Sequence, residues 1–73
     1  MVDDYAIEKL IKNYAKENNY TLVSNSYGKL EYIKYSNNSK GSMDSMKWYR
    51  GAKDIIMTAS GKIEKIMIDD LMS

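Results

Sequence analysis

The chain has 73 residues, 44% of them hydrophobic, a net charge of +1, and no cysteine, histidine or proline. So short a chain holds one domain with a small core, which leaves no depth for a large cofactor. Lacking cysteine and histidine, it has no disulfide, no thiolate, no usual zinc ligand and no usual neutral-pH acid or base, which excludes zinc-finger, thiol-redox and His-dependent triad chemistry.

The amino end, "MVDDY", is acidic and is not a basic region followed by an apolar run, so no secretory signal is expected. No apolar run is long enough to cross a bilayer. The composition points to a cytoplasmic protein with no membrane partner. Ten lysines stand against one arginine, a bias that fits an AT-rich genome.

In "VDDYAIEKLIKNYAKENNY", Ile7, Leu10, Ile11 and Tyr14 recur at helical spacing with Ala15 beside them. The spacing predicts an amphipathic helix over Asp4 to Glu17. Asp3 or Asp4 can cap its start, Glu8 and Lys12 form an i, i+4 pair, and Asn18 or Asn19 can take the left-handed conformation that ends it. Next, "YTLVSNSYGKLEYIKY" carries two β-prone runs around a turn. Centring that turn on Tyr27–Gly28 predicts a hairpin with Tyr20 opposite Tyr35, Leu22 opposite Ile33 and Val23 opposite Tyr32. Residues 36–42, "SNNSKGS", have almost nothing to bury and read as a mobile loop.

"MKWYR" reads as a third strand turning at Gly51–Ala52. "DIIMTASGKIEKIMID" reads as a hairpin closed at Ser60–Gly61, aligning Ile55 with Ile66 and Met57 with Glu64, with Ile55, Met57, Ala59, Ile66 and Ile68 on one face. A helix after Ser60 competes, because Ile63, Ile66, Met67 and Leu71 also approach helical spacing. It would put Asp70 in the apolar stripe, so strands are preferred. The sum is a single two-layer α+β domain: one N-terminal amphipathic helix packed on an antiparallel sheet of four to five strands. One helix does not cover all the apolar residues of such a sheet, and Val23, Tyr32, Ile56 and Ile63 are candidates for the uncovered face.

The sequence supplies little chemistry. Asp3–Asp4 and Asp69–Asp70 are the only adjacent carboxylate pairs, and neighbours on a strand point to opposite faces, so no metal site is expected. Neither G-x-x-x-x-G-K-[ST] nor G-x-G-x-x-G occurs. No catalytic residue and no cofactor is assigned.

What remains is binding surface. Residues 29–53 hold six basic and two acidic side chains, and "SMKWYRGAKD" places the only tryptophan and the only arginine beside a tyrosine and two lysines. If the partner is a larger protein or nucleoprotein complex, Trp48, Tyr49 and Arg50 form the anchor and Lys47 and Lys53 set the charge complementarity. The alternative is direct nucleic-acid binding, with the basic middle on phosphates and Tyr32, Tyr35 or Tyr49 stacking on bases. A homo-oligomer is also compatible with the composition. The strand period puts Met46, Trp48 and Arg50 on one side and Lys47 and Tyr49 on the other. Burying Trp48 under the helix therefore requires Arg50 to sit at the strand's end and reach water along its stem.

In size, composition and lack of catalytic side chains, though in no motif, the chain is similar to the small single-domain proteins that phages and mobile elements use to block host machinery, including anti-CRISPR proteins. That resemblance implies an inhibitor or regulator of a larger host complex that is not an enzyme.

Overall fold

The computed structural model of the chain describes residues 3–26, 28–35, 43–59 and 61–72. A helix, α1 (Asp4–Glu17), leads into five strands, β1 (Thr21–Ser26), β2 (Lys29–Tyr35), β3 (Met43–Tyr49), β4 (Asp54–Ala59) and β5 (Lys62–Met67), and a final helical turn, α2 (Ile68–Met72). The strands form one antiparallel sheet in sequence order, with α1 against one face.

The helix has the predicted bounds because both ends are chemically marked. The Asp3 carboxylate accepts from the Ala6 N–H at 2.9 Å and satisfies a donor that the first turn leaves open. At the other end Asn19 adopts φ 64°, and the N–H groups of Tyr20 and Asn19 donate to the carbonyls of Ala15 and Lys16 at 2.8 and 3.3 Å. This closing motif needs a left-handed residue, which asparagine tolerates. Glu8 and Lys12 pair at 3.4 Å.

The helix stripe meets one face of the sheet. Ile11 and Ala15 from α1, Leu30 and Tyr32 from β2, Met46 and Trp48 from β3, Ile55 from β4 and Ile68 from α2 form the buried core, with Ile7, Leu10, Tyr14, Met57 and Leu71 packed around it. Trp48 is the largest fully buried side chain, and its indole N–H donates to the Ala52 carbonyl at 3.0 Å. Its apolar body thus fills the centre of the domain while its one polar atom ties down the β3–β4 turn.

The second hairpin follows the predicted register, with Ile55 opposite Ile66, Met57 opposite Glu64 and Ala59 opposite Lys62. The first follows it only near the turn. Ser26, Asn25 and Ser24 pair with Lys29, Leu30 and Glu31, after which a β-bulge at Val23 shifts the pairing by one, so that Leu22 faces Tyr32 and Thr21 faces Ile33. The extra residue on one strand produces that slip. Tyr20 accordingly does not meet Tyr35; its ring lies 4.5 Å from the Lys34 ammonium, and Tyr35 pairs with Met43.

Three further expectations are corrected. β3 begins at Met43 rather than Met46, because the seven residues of β2 give it seven partners. The turn after it centres on Arg50–Gly51 rather than Gly51–Ala52, with the Ala52 N–H donating to Tyr49 at 2.8 Å and Gly51 at φ 90°, a conformation that favours glycine. The last strand stops at Met67, since its final partner on β4 is Asp54, and Ile68 starts a helical turn that brings Ile68 and Leu71 against the core. The helical spacing noted after Ser60 therefore applies to the last few residues only. Tyr27 and Ser60, the first residues of the two predicted turn centres, and the predicted 36–42 loop lie outside the described residues.

Trp48→Ala is expected to destabilise the domain by about 3–5 kcal/mol, as a large-to-small change in a closed core. Denaturant unfolding measures it, and a loss under about 1 kcal/mol would contradict this packing.

Candidate functional site

Directly opposed residues of antiparallel strands share a face, so the registers sort every strand residue. Leu30, Tyr32, Met46, Trp48, Ile55, Met57 and Ile66 lie on the α1 side. The other face carries Ile33 and Tyr35, Met43, Lys47 and Tyr49, Ile56, and Ile63, Lys65 and Met67. No described element covers this second face. Tyr35 and Ile63 are each 71% exposed, Tyr49, Met43 and Met67 are about half exposed, and Ile33 and Ile56 are half-buried by their neighbours.

This open face has two halves. The row Thr21, Ile33, Ser45, Thr58 and Ile63 crosses all five strands without a charge, and Tyr35 with Met43 extends it toward one end. The adjoining rows hold Lys29, Glu31, Lys47, Asp54 and Lys65 around Tyr49, Ile56 and Met67. Glu31 binds Lys29 at 3.5 Å and Lys47 at 3.9 Å, so one carboxylate offsets two lysines.

The seven residues singled out in the sequence are dispersed. Tyr49, Lys47 and Tyr35 are on the open face. Trp48 and Tyr32 are core, at 1% and 5% exposure, which removes Tyr32 from the uncovered face and Trp48 from any surface anchor. The alternation of β2 explains Tyr32: it shares the α1 side with Leu30, opposite Met46, and the bulge in β1 brings Leu22, rather than Val23, opposite it. Arg50 has left the strand at its end, as the burial of Trp48 requires. Its guanidinium donates to Glu8 at 2.9 Å, and its backbone N–H donates to the Gly28 carbonyl at 2.6 Å. Lys53 is exposed on the next turn, where its carbonyl accepts from the Ile68 N–H at 2.8 Å.

Lys53 also borders a cleft of about 390 Å³ formed with Asp4, Ile7, Gly51, Ala52, Met67, Ile68 and Asp69. Its carboxylates belong to the first turns of α1 and α2, where they complement the helix dipole. Among the described residues no three acidic, histidine or cysteine side chains cluster as metal ligands would.

Sequence reasoning missed Ile33, Met43 and Met67 on the open face. Ile33 alternates with the inward Tyr32 on β2 and faces Ser45, and Met43 belongs to a strand that the sequence pattern starts three residues later. Met67 follows from the β4–β5 register, which alternates Ile66 inward and Met67 outward.

Compared with protein-family models, with curated proteins and with solved structures, the chain matches none. No described helix is long and apolar enough to cross a membrane. The fold is thus that of an α+β two-layer domain whose open sheet has one face covered by a helix and one face that no described element covers.

Two phenols of the covered side have shifted acidities. Burial raises the Tyr32 pKa above its ordinary 10.0, with nearby Glu8 adding to the shift. Burial, then Asp44 and Tyr14, raises that of Tyr20. Above the ordinary value of 10.0 the unfolded chain releases protons that the folded chain retains, so stability falls as pH climbs toward the raised folded-state values. Tyr32→Phe and Tyr20→Phe are each expected to move alkaline unfolding to higher pH in a base titration followed by circular dichroism. An unchanged midpoint for both would contradict their burial.

Proposed function

We propose that this chain is a non-enzymatic protein-binding module, a small inhibitor or regulator that occupies a site on a larger host complex, as phage and mobile-element proteins such as anti-CRISPR proteins do. The observation that carries the reading is the open face. It sets exposed Tyr35, Tyr49, Met43, Ile63 and Met67 on one antiparallel sheet. Exposed apolar side chains gathered on one surface mark interaction sites, and tyrosine supplies large amphipathic contact area at little entropic cost. Tyr35 and Tyr49, toward opposite ends of β2 and β3, serve as anchors, and Lys47 and Lys65 set the orientation.

The distribution of basic groups favours a protein over a nucleic acid. Lys29 and Lys47 share Glu31, and Arg50 is held by Glu8 on the helix side. Among the described residues, the basic groups of the middle segment are thus divided between faces and partly neutralised, whereas a nucleic-acid surface gathers them into one stripe.

Tyr35→Ala and Tyr49→Ala are expected to melt within about 1 kcal/mol of the parent, because Tyr35 is largely and Tyr49 about half exposed and neither belongs to the core. Each is expected to weaken a partner recovered with the parent chain, and confirmed with purified components, by roughly 30- to 1000-fold. Equal binding by both variants would refute the open face as the site. Recovery that disappears on nuclease treatment or in moderate salt would refute the protein reading in favour of nucleic acid.

A further inference from the structure

The sheet is open, so β1 and β5 each expose one edge. Edge strands are normally guarded against pairing with other chains by bulges or charges. β1 has the bulge at Val23. β5, "KIEKIM", pairs with β4 without interruption and carries Lys62, Glu64 and Lys65.

The Ile68 N–H donates to the Lys53 carbonyl, the next pair in the β4–β5 ladder. Ladder bonds alternate from one side of a strand to the other, so Lys62, Glu64 and Ile66 bond toward β4, and the N–H and C=O groups of Ile63 and Lys65 point outward. A second copy adding antiparallel to this edge is related by a two-fold axis perpendicular to the sheet, which places some residue opposite itself. Centring on Lys62, Glu64 or Lys65 sets like charges against each other, which is destabilising. Centring on Ile66 places Glu64 against Ile68, which has left the strand for α2. Centring on Ile63 places Ile63 against Ile63 and Lys62 against Glu64 on both sides of the axis, with Gly61 opposite Lys65, and the outward groups of Ile63 are in register to bond.

We infer that the β5 edge is a self-association site, at which a second copy of this chain docks antiparallel about Ile63 through two reciprocal Lys62–Glu64 contacts. The pairing makes one ten-stranded sheet with both α1 helices on the same side. It also joins the uncharged row Ile33, Ser45, Thr58 and Ile63 to its counterpart in the copy, doubling the uncharged half of the open face. Only positions 61–65 overlap, so the buried area falls below the roughly 800 Å² per partner of stable complexes and the association is weak. This inference is independent of the partner-binding reading, because it rests on backbone edge and charge register rather than on Tyr35 or Tyr49.

Sedimentation equilibrium of the full chain tests it. The average mass is expected to rise above 8.4 kDa toward twice that value as concentration increases. Lys62→Glu and Glu64→Lys, both at exposed positions, are each expected to weaken association by roughly tenfold, since each turns two opposite-charge contacts into repulsions. An equimolar mixture of the two variants restores opposite charges at both contacts and is expected to associate at least as well as the parent. A parent chain that stays monomeric up to roughly millimolar concentration would overturn the inference. So would single variants that associate like the parent, or a mixture that associates no better than its components.

Discussion

A single helix of 14 residues has to seal a sheet of five strands, and the rest of the structure follows from that constraint. The helix is about 21 Å long and about 10 Å wide, while five strands span about 19 Å between the outermost axes. It closes one face over Leu30, Tyr32, Met46, Trp48 and Ile55 and has nothing left for the other. The short α2 turn adds Ile68 and Leu71 to the same side. The asymmetry between the two faces is thus forced by the supply of elements, and the bare face keeps whatever side chains the strand alternation assigns to it.

Trp48 connects this layering to the candidate site. Its indole fills the layer between sheet and helix, and its N–H holds the Ala52 carbonyl, which fixes the turn where Gly51 takes a positive φ. Arg50, just past the strand, can then reach back to Glu8 on α1. With Trp48 locked inward, the period of two sends Lys47 and Tyr49 outward onto the open face. The side chain that stabilises the fold thereby fixes the orientation of a proposed contact residue, although its own surface is hidden.

Much of this was legible in the sequence, for reasons that differ by element. α1 combined a clear 3.6 period with capping residues at both ends, and β4–β5 combined alternation with a glycine at the turn, so local signals agreed with the tertiary result. The Trp48–Tyr49 alternation follows from the strand period of "MKWYR". The bulge at Val23 left no mark in the composition and brought Leu22 rather than Val23 opposite Tyr32, while Tyr32 faces inward and Ile33 outward by the alternation of β2 against β3. The start of β3 at Met43 depends on the length of β2, a non-local fact. The end of β5 depends on where β4 begins. At the site, the cluster "KWYR" looked like one surface because its residues are neighbours in sequence, whereas strand geometry separates them. The sharing of Glu31 between Lys29 and Lys47 spans two strands and required the β2–β3 register.

The claim on which the proposals rest is that the two faces of the sheet differ, one sealed and one bare. Hydroxyl-radical footprinting of the native chain reads this residue by residue. The account predicts fast oxidation of Tyr35, Met43, Tyr49 and Met67 and strong protection of Tyr32, Met46 and Trp48. Trp48 or Met46 reacting as fast as Tyr49 and Met43 would contradict the sealed face, and protection of Tyr35, Met43, Tyr49 and Met67 in the isolated monomer would contradict the bare one.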